Sequence, residues 1–133
     1  MTAIRSYRDL DVWKRGMQLT TSVYRLTASF PSSERFGLVP QLQRSAVSVP
    51  SNIAEGHQRD STRDFSRFLS IGQGSLAELE TQLILAAELG LAGRADIDPL
   101  LATCAELGRM LNGMQSKLRQ RLSPLPRPPA PDL

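Results

Sequence analysis

Few residues of this chain have types and spacing that invite a chemical reading. His57 is the only histidine and Cys104 the only cysteine. Glu55 precedes His57 by two positions, and residues two apart on a helix do not face each other. A zinc-type centre needs about four ligands, and one histidine without a cysteine partner does not supply them. A Cys/His nucleophile would have His57 as its only base, yet Cys104 falls on an apolar repeat and reads as a small buried hydrophobe. His57 itself reads as a solvated or capping residue near a helix C-terminus. Dinuclear metal sites in helical bundles use Glu-x-x-His pairs, and Glu55, Glu78 and Glu80 form none. Gly72-Gln73-Gly74-Ser75 lacks the preceding strand and the Lys-Ser/Thr pair of a phosphate-binding loop. Those glycines read instead as small residues that let a neighbouring helix come close, near Pro50. The chain is therefore expected to have no catalytic residue, no cofactor and no metal, and not to be an enzyme.

Two polar groups remain. In Gln41–Gly56, polar residues Gln41, Arg44, Asn52 and Glu55 ride among apolar ones, with Pro50 at the centre. A proline inside a helix removes one hydrogen bond and costs about 3 kcal/mol, so something specific is expected around it. Buried polar side chains can mark a site or fix helix register, and Glu78 is expected to meet Arg44 or Asn52. The second group is basic. Arg59, Arg63 and Arg67 recur every four residues, with Asp64 three before Arg67 as an intrahelical partner. Between Glu106 and Asp132 there is no acid, while Arg109, Lys117, Arg119, Arg121 and Arg127 occur. That stretch is the best electrostatic footprint for RNA or DNA. No aromatic residue follows Phe68, so no stacking platform is expected beside that charge.

Composition sets the frame. Sixteen basic against thirteen acidic residues leave +3, which permits nucleic-acid contact without requiring it. All but Lys14 and Lys117 of the sixteen are Arg, a bias that a GC-rich coding sequence also produces. One cysteine excludes an internal disulfide, and the charged N-terminus lacks the apolar core of a signal peptide. Apolar runs reach five residues, as in Leu83–Ala87, against roughly 20 needed to cross a bilayer. A cytoplasmic protein without membrane contact is expected.

Periodicity supplies the elements. Leu10, Trp13, Met17, Thr20, Tyr24 and Thr27 form one seam, and Val12, Gly16, Leu19, Val23, Leu26 and Phe30 another. Together they predict a helix over about 9–29, ended by Pro31. A second helix is predicted from Pro40 to Gly56, with Leu42, Ala46, Val49, Ile53 and Gly56 inward and a kink at Pro50. A third follows Ser61, capped with Asp64, carries Phe65, Leu69, Gly72, Leu76, Leu79, Leu83 and Ala86, and stops at Gly90. A fourth begins at Asp98-Pro99 and carries Leu100, Cys104, Leu107, Leu111, Met114 and Leu118. The fold class is all-α, an up-down-up-down four-helix bundle over 1–122, with a disordered Pro-rich tail over 123–133. Leu83–Ala87 is apolar all round, more than one core requires, which predicts packing against another subunit.

Several segments carry a resemblance: Asp9-Leu10 with Val12-Trp13, Phe30-Pro31 with Glu34 and Gly37-Leu38, and Gln41 with Arg44-Ser45-Ala46. Ser48-Val49-Pro50, Asn52-Ile53-Ala54-Glu55-Gly56, Arg59, Phe68-Leu69, Gly74-Ser75 and Glu78-Leu79-Glu80 continue it. Over about 9–91 the chain resembles the bundle family encoded in intervening sequences of bacterial 23S ribosomal RNA genes, often labelled S23 ribosomal proteins. The resemblance implies a homopentamer with a central channel. A related protein assists diversity-generating retroelements, which implies a reverse transcriptase or nucleic acid as partner. It implies no catalytic residues, so Gln41, Arg44, Asn52, Glu55 and Glu78 are expected to be structural. The function expected is a non-enzymatic, self-associating bundle that contacts RNA or DNA through Arg59, Arg63, Arg67, Arg109, Lys117, Arg119 and Arg121. The alternative is a scaffold that docks a partner polypeptide, with the Pro-rich tail as its handle.

Overall fold

A computed structural model describes residues 3–122. The proposed tail over 123–133, Arg127 included, lies outside the described residues. Four helices run α1 (Asp11–Thr27), α2 (Leu38–His57), α3 (Thr62–Glu88) and α4 (Arg94–Leu122), with no strand among the described residues. Each packs on the next, and α1 closes on α4. This is the four-helix bundle that the apolar seams predict. Leu19, Val23, Leu42, Val49, Ile53, Leu69, Leu79, Leu83, Leu107 and Leu111 are fully enclosed at its centre.

The helix limits follow from local hydrogen bonds. Ser6 caps a 3₁₀ turn over Tyr7–Asp9, and the Asp9 carboxylate returns a bond to the Ser6 N–H. That Ser-x-x-Asp spacing delays α1 to Asp11. Its inner seam from Val12 to Phe30 is buried, whereas Met17 and Tyr24 of the second seam face outward. The wide stripe expected of this helix is thus one buried seam with a half-exposed flank. Glu34 accepts a bond from the Leu38 N–H at 3.0 Å, which starts α2 two residues before Pro40. Pro40 still sits in the first turn. The Ser61 hydroxyl accepts from the Asp64 N–H at 3.0 Å and caps α3. Ser61→Ala is expected to cost about 0.5–2 kcal/mol in chemical denaturation, because one N-terminal donor loses its acceptor. Past the end of α3, Gly90 has φ +71°, and the N–H groups of Gly90 and Leu91 bond back to Ala87 and Ala86. Two bonds of that pattern close a helix end around a left-handed residue.

Helix α4 departs from expectation. It begins at Arg94 rather than Asp98, with Pro99 inside it. Ile97 is the reason: it is completely buried, and the added turn is what carries it into the core.

Polar clasps join every neighbouring pair of helices. Ser45 of α2 donates to Gln82 of α3 at 2.7 Å, and Ser48 meets Ser75 at 2.7 Å. Gln115 of α4 donates to the Ser70 hydroxyl of α3 at 2.8 Å and to the Ser66 carbonyl at 3.2 Å. Arg15 of α1 pairs with Glu106 of α4 at 2.7 Å. The buried clasps fix register, because sliding one helix would strand a polar group away from water.

Pro50 explains the junction of α1 and α2. Helix α2 continues through it. Its missing N–H leaves the Ala46 carbonyl, four residues earlier, without an intrahelical donor. The Thr20 hydroxyl of α1 donates to that carbonyl at 3.0 Å. Gly16, one turn before Thr20, leaves room for the proline ring: a Cβ on Gly16 would lie 3.3 Å from Pro50 Cβ. The close approach to Pro50 was expected from Gly72 and Gly74. Gly72 is buried against Asn52 and the Val49 carbonyl, but Gly74 has nothing within 4 Å of a built Cβ.

Candidate nucleic-acid interface

Antiparallel packing sets the ends of the bundle. Gln115 of α4 lies against Ser66 and Ser70 of α3. The last turns of α4 therefore share an end with the α2–α3 connection and the start of α1. Both basic groups of the sequence meet there.

Arg59 follows α2, while Arg63 and Arg67 lie in the first turns of α3. Arg63 and Arg67 lie one turn apart on α3, as their spacing predicts. Arg67 also meets Arg59 of the α2–α3 connection: their guanidinium carbons lie 4.8 and 4.9 Å from the centre of the Phe68 ring. That is within the range of cation–π attraction. Arg59 also pairs with Glu55 at 3.2 Å, and Arg67 with Asp64 at 3.8 Å. Arg63 is exposed and forms no ion pair among the described residues.

Arg109, Lys117 and Arg121 line a cleft of about 740 Å³ between the start of α1, the end of α2, the start of α3 and the second half of α4. None of the three pairs with an acid among the described residues. Arg119 does not line this cleft. Asp9 and Asp11, just before and at the start of α1, also line it, and the rest of the lining is largely apolar. Asp9 is held below the usual carboxylate range, chiefly by the Arg5 N–H that it accepts at 2.8 Å.

Two aromatic rings complete the cleft, His57 and Phe65, set edge to face with centroids 5.5 Å apart. The sequence placed every aromatic residue before the basic stretch and predicted none beside it. Helix α3 packs alongside α4 and brings Phe65 there. His57 was expected to be solvated or capping; it is half-buried, and its Nδ1 is enclosed without a hydrogen-bond partner among the described residues. Neither ring could be placed in the cleft from spacing alone.

The polar residues of α2 do not converge. Gln41 and Arg44 are exposed, and Glu55 is engaged with Arg59. Asn52 donates to the Ser48 carbonyl at 2.7 Å and hydroxyl at 2.9 Å, a structural role. Glu78 was expected to meet Arg44 or Asn52. It is exposed and accepts from Gln82 at 3.2 Å, because Gln82 is the α3 residue that turns inward to Ser45. None of these five lines the cleft. Cys104 is fully buried, and burial, with the Glu80 charge adding to it, pushes its thiol up to about 12. No cluster of three metal-ligating side chains occurs among the described residues. No described helix is long and apolar enough to cross a membrane.

Fold and site together define an all-α helical-bundle protein with a basic-rimmed cleft at one end. The chain belongs to the 23S rRNA-intervening sequence protein family, whose model matches residues 8–113. The match extends past the segment that carried the resemblance and takes in most of α4. The fold is similar to the crystal structure of a protein with unknown function from the S23 ribosomal protein family of Bacteroides thetaiotaomicron. The TM-score is 0.71 at 21% identity, over 78% of this chain and 97% of that one. No curated protein matches the chain.

Proposed function

We propose that the protein is a non-enzymatic, self-associating bundle, pentameric as its resemblance implies, that contacts RNA or DNA through the basic end. The observation that carries the nucleic-acid reading is the convergence of Arg109, Lys117 and Arg121, without acidic partners, on one cleft. Arg59, Arg63 and Arg67 extend the positive surface at the same end. Such cations release counterions from a phosphate backbone, so binding depends steeply on salt. Self-association has separate support. Within the apolar turn of α3, Ile84 is 43% and Leu85 42% exposed, so the chain's own helices leave them open to a second copy.

The test is a titration of labelled single-stranded RNA between about 50 and 200 mM salt. Affinity is expected to fall steeply with salt. The triple variant Arg109→Gln, Lys117→Gln, Arg121→Gln is expected to flatten the logarithmic slope by about two, at roughly 0.7 per lost phosphate contact. Affinity that ignores salt would overturn the reading. Light scattering tests assembly, and a clean monomer at micromolar concentration removes that half of the proposal.

A further inference from the structure

A stripe of cations that tracks phosphates needs no cavity beneath it, yet these cations rim one. The cleft volume of about 740 Å³ falls in the range of small-ligand sites. Its apolar lining is the buried Leu10, Val12 and Leu118 with the half-buried Phe65, Met110 and Met114. A purely ionic ligand would leave the last three against water. A purely apolar ligand would leave three cations unused. The carboxylates in the lining select further: Asp9 already accepts from the N–H groups of Arg5 and Ser6 through one oxygen, and Asp11 accepts no side-chain or turn bond among the described residues. They repel a bare polyanion and suit O–H or N–H donors. His57 adds an enclosed ring nitrogen with no partner among the described residues, the kind of atom that ordinarily finds one.

A flat apolar body, one anionic group and several donors occur together in a nucleotide. We propose that the cleft is a pocket for a single nucleotide unit, with the base against Phe65 and the two methionines and its phosphate on Lys117, while Arg109 and Arg121, about two turns before and one turn after it on α4, take the neighbouring phosphates of a strand. The donors of the sugar face Asp11 and Asp9, and the His57 ring, set edge to face against Phe65, borders the base. This deepens the nucleic-acid reading and rests on it for one source of the ligand, an unstacked residue of a single strand. The other source is a free nucleotide. A continuous duplex has no base to offer, since its bases are paired and stacked.

Gly113 supplies the test. It lines the cleft, and a Cβ built on it meets nothing within 4 Å. Gly113→Leu therefore fills the void while keeping every charge, on an exposed helical position where folding tolerates the change. The probes are AMP, inorganic phosphate, a single-stranded oligo(A) of about 12 nucleotides and a duplex of equal length, the single strand spanning a typical binding site. AMP is expected to bind more tightly than phosphate. Gly113→Leu is expected to weaken AMP and oligo(A) about ten-fold or more, the scale of one lost base-stacking contact, and to weaken the duplex far less. If AMP binds no better than phosphate, or if Gly113→Leu leaves the single strand unaffected, the pocket is refuted while salt-dependent binding survives. If AMP binds and Gly113→Leu abolishes it, but no polymer binds at any salt, the pocket stands for free nucleotides and the nucleic-acid function falls.

Discussion

Gly56→Ala is expected to destabilise the protein by about 1–3 kcal/mol, the cost of overfilling a packed core. Gly113→Ala should do the opposite and add roughly 0.5–1 kcal/mol, the ordinary gain from replacing a helical glycine. The added atom is the same; the surroundings differ. A Cβ on Gly56 would lie 2.6 Å from Phe68 Cβ, 3.1 Å from Phe65 Cδ1 and 3.3 Å from the Phe65 carbonyl. None of these is the free end of a flexible side chain. Helices α2 and α3 would have to part at their connection, where Phe65 and Phe68 set the cleft and the cation pair. Thermal unfolding reads the contrast: about 2–8 °C per kcal/mol covers domains of this size, so the two variants should melt on opposite sides of the parent. A Gly56→Ala protein that melts at or above the parent temperature would contradict the close approach.

Thr20→Val is expected to cost about 1–3 kcal/mol, the penalty for a buried carbonyl left without a donor. Valine keeps the shape and the branched Cβ, so helix propensity changes little. The Thr20 hydroxyl sits 2.8 Å from the Gly16 carbonyl and 3.0 Å from that of Ala46. Gly16 has an alternative donor in the regular ladder of α1, whereas Ala46 lost its own to Pro50. The cost therefore depends on the proline. Pro50→Ala restores an N–H to α2, and in that background Thr20→Val should cost at least about 1 kcal/mol less, a coupling ordinary for residues in contact. The measurement is a double-mutant cycle by denaturant unfolding. Strict additivity would show that Thr20 does not serve the proline.

The apolar seams were legible in the sequence because helix periodicity relates residues three and four apart. The seam of α3, with its Ser61 cap and its Gly90 stop, needs nothing beyond its own neighbours, and the structure reproduces it. The start of α4 escaped that logic. Pro99 favours a helix beginning just before it, but burial of Ile97 in the common core adds a turn. The partner of Glu78 was misjudged for a related reason: which polar residue of α3 turns inward depends on how α2 is rotated against it. Gln82 and Ser45, 37 positions apart, settle that rotation.

By itself, then, the sequence determined four amphipathic rods, the Ser61 cap and Gly90 stop of α3, and two groups of basic residues separated along the chain. These follow from interactions within one or two helical turns. The tertiary structure alone decided that the two basic groups share one end, that Thr20 serves the carbonyl freed by Pro50, and that His57 and Phe65 lie beside Arg109, Lys117 and Arg121. Each of those joins residues on different helices, and their meeting is set by antiparallel packing and side-chain volume, for which local periodicity carries no information.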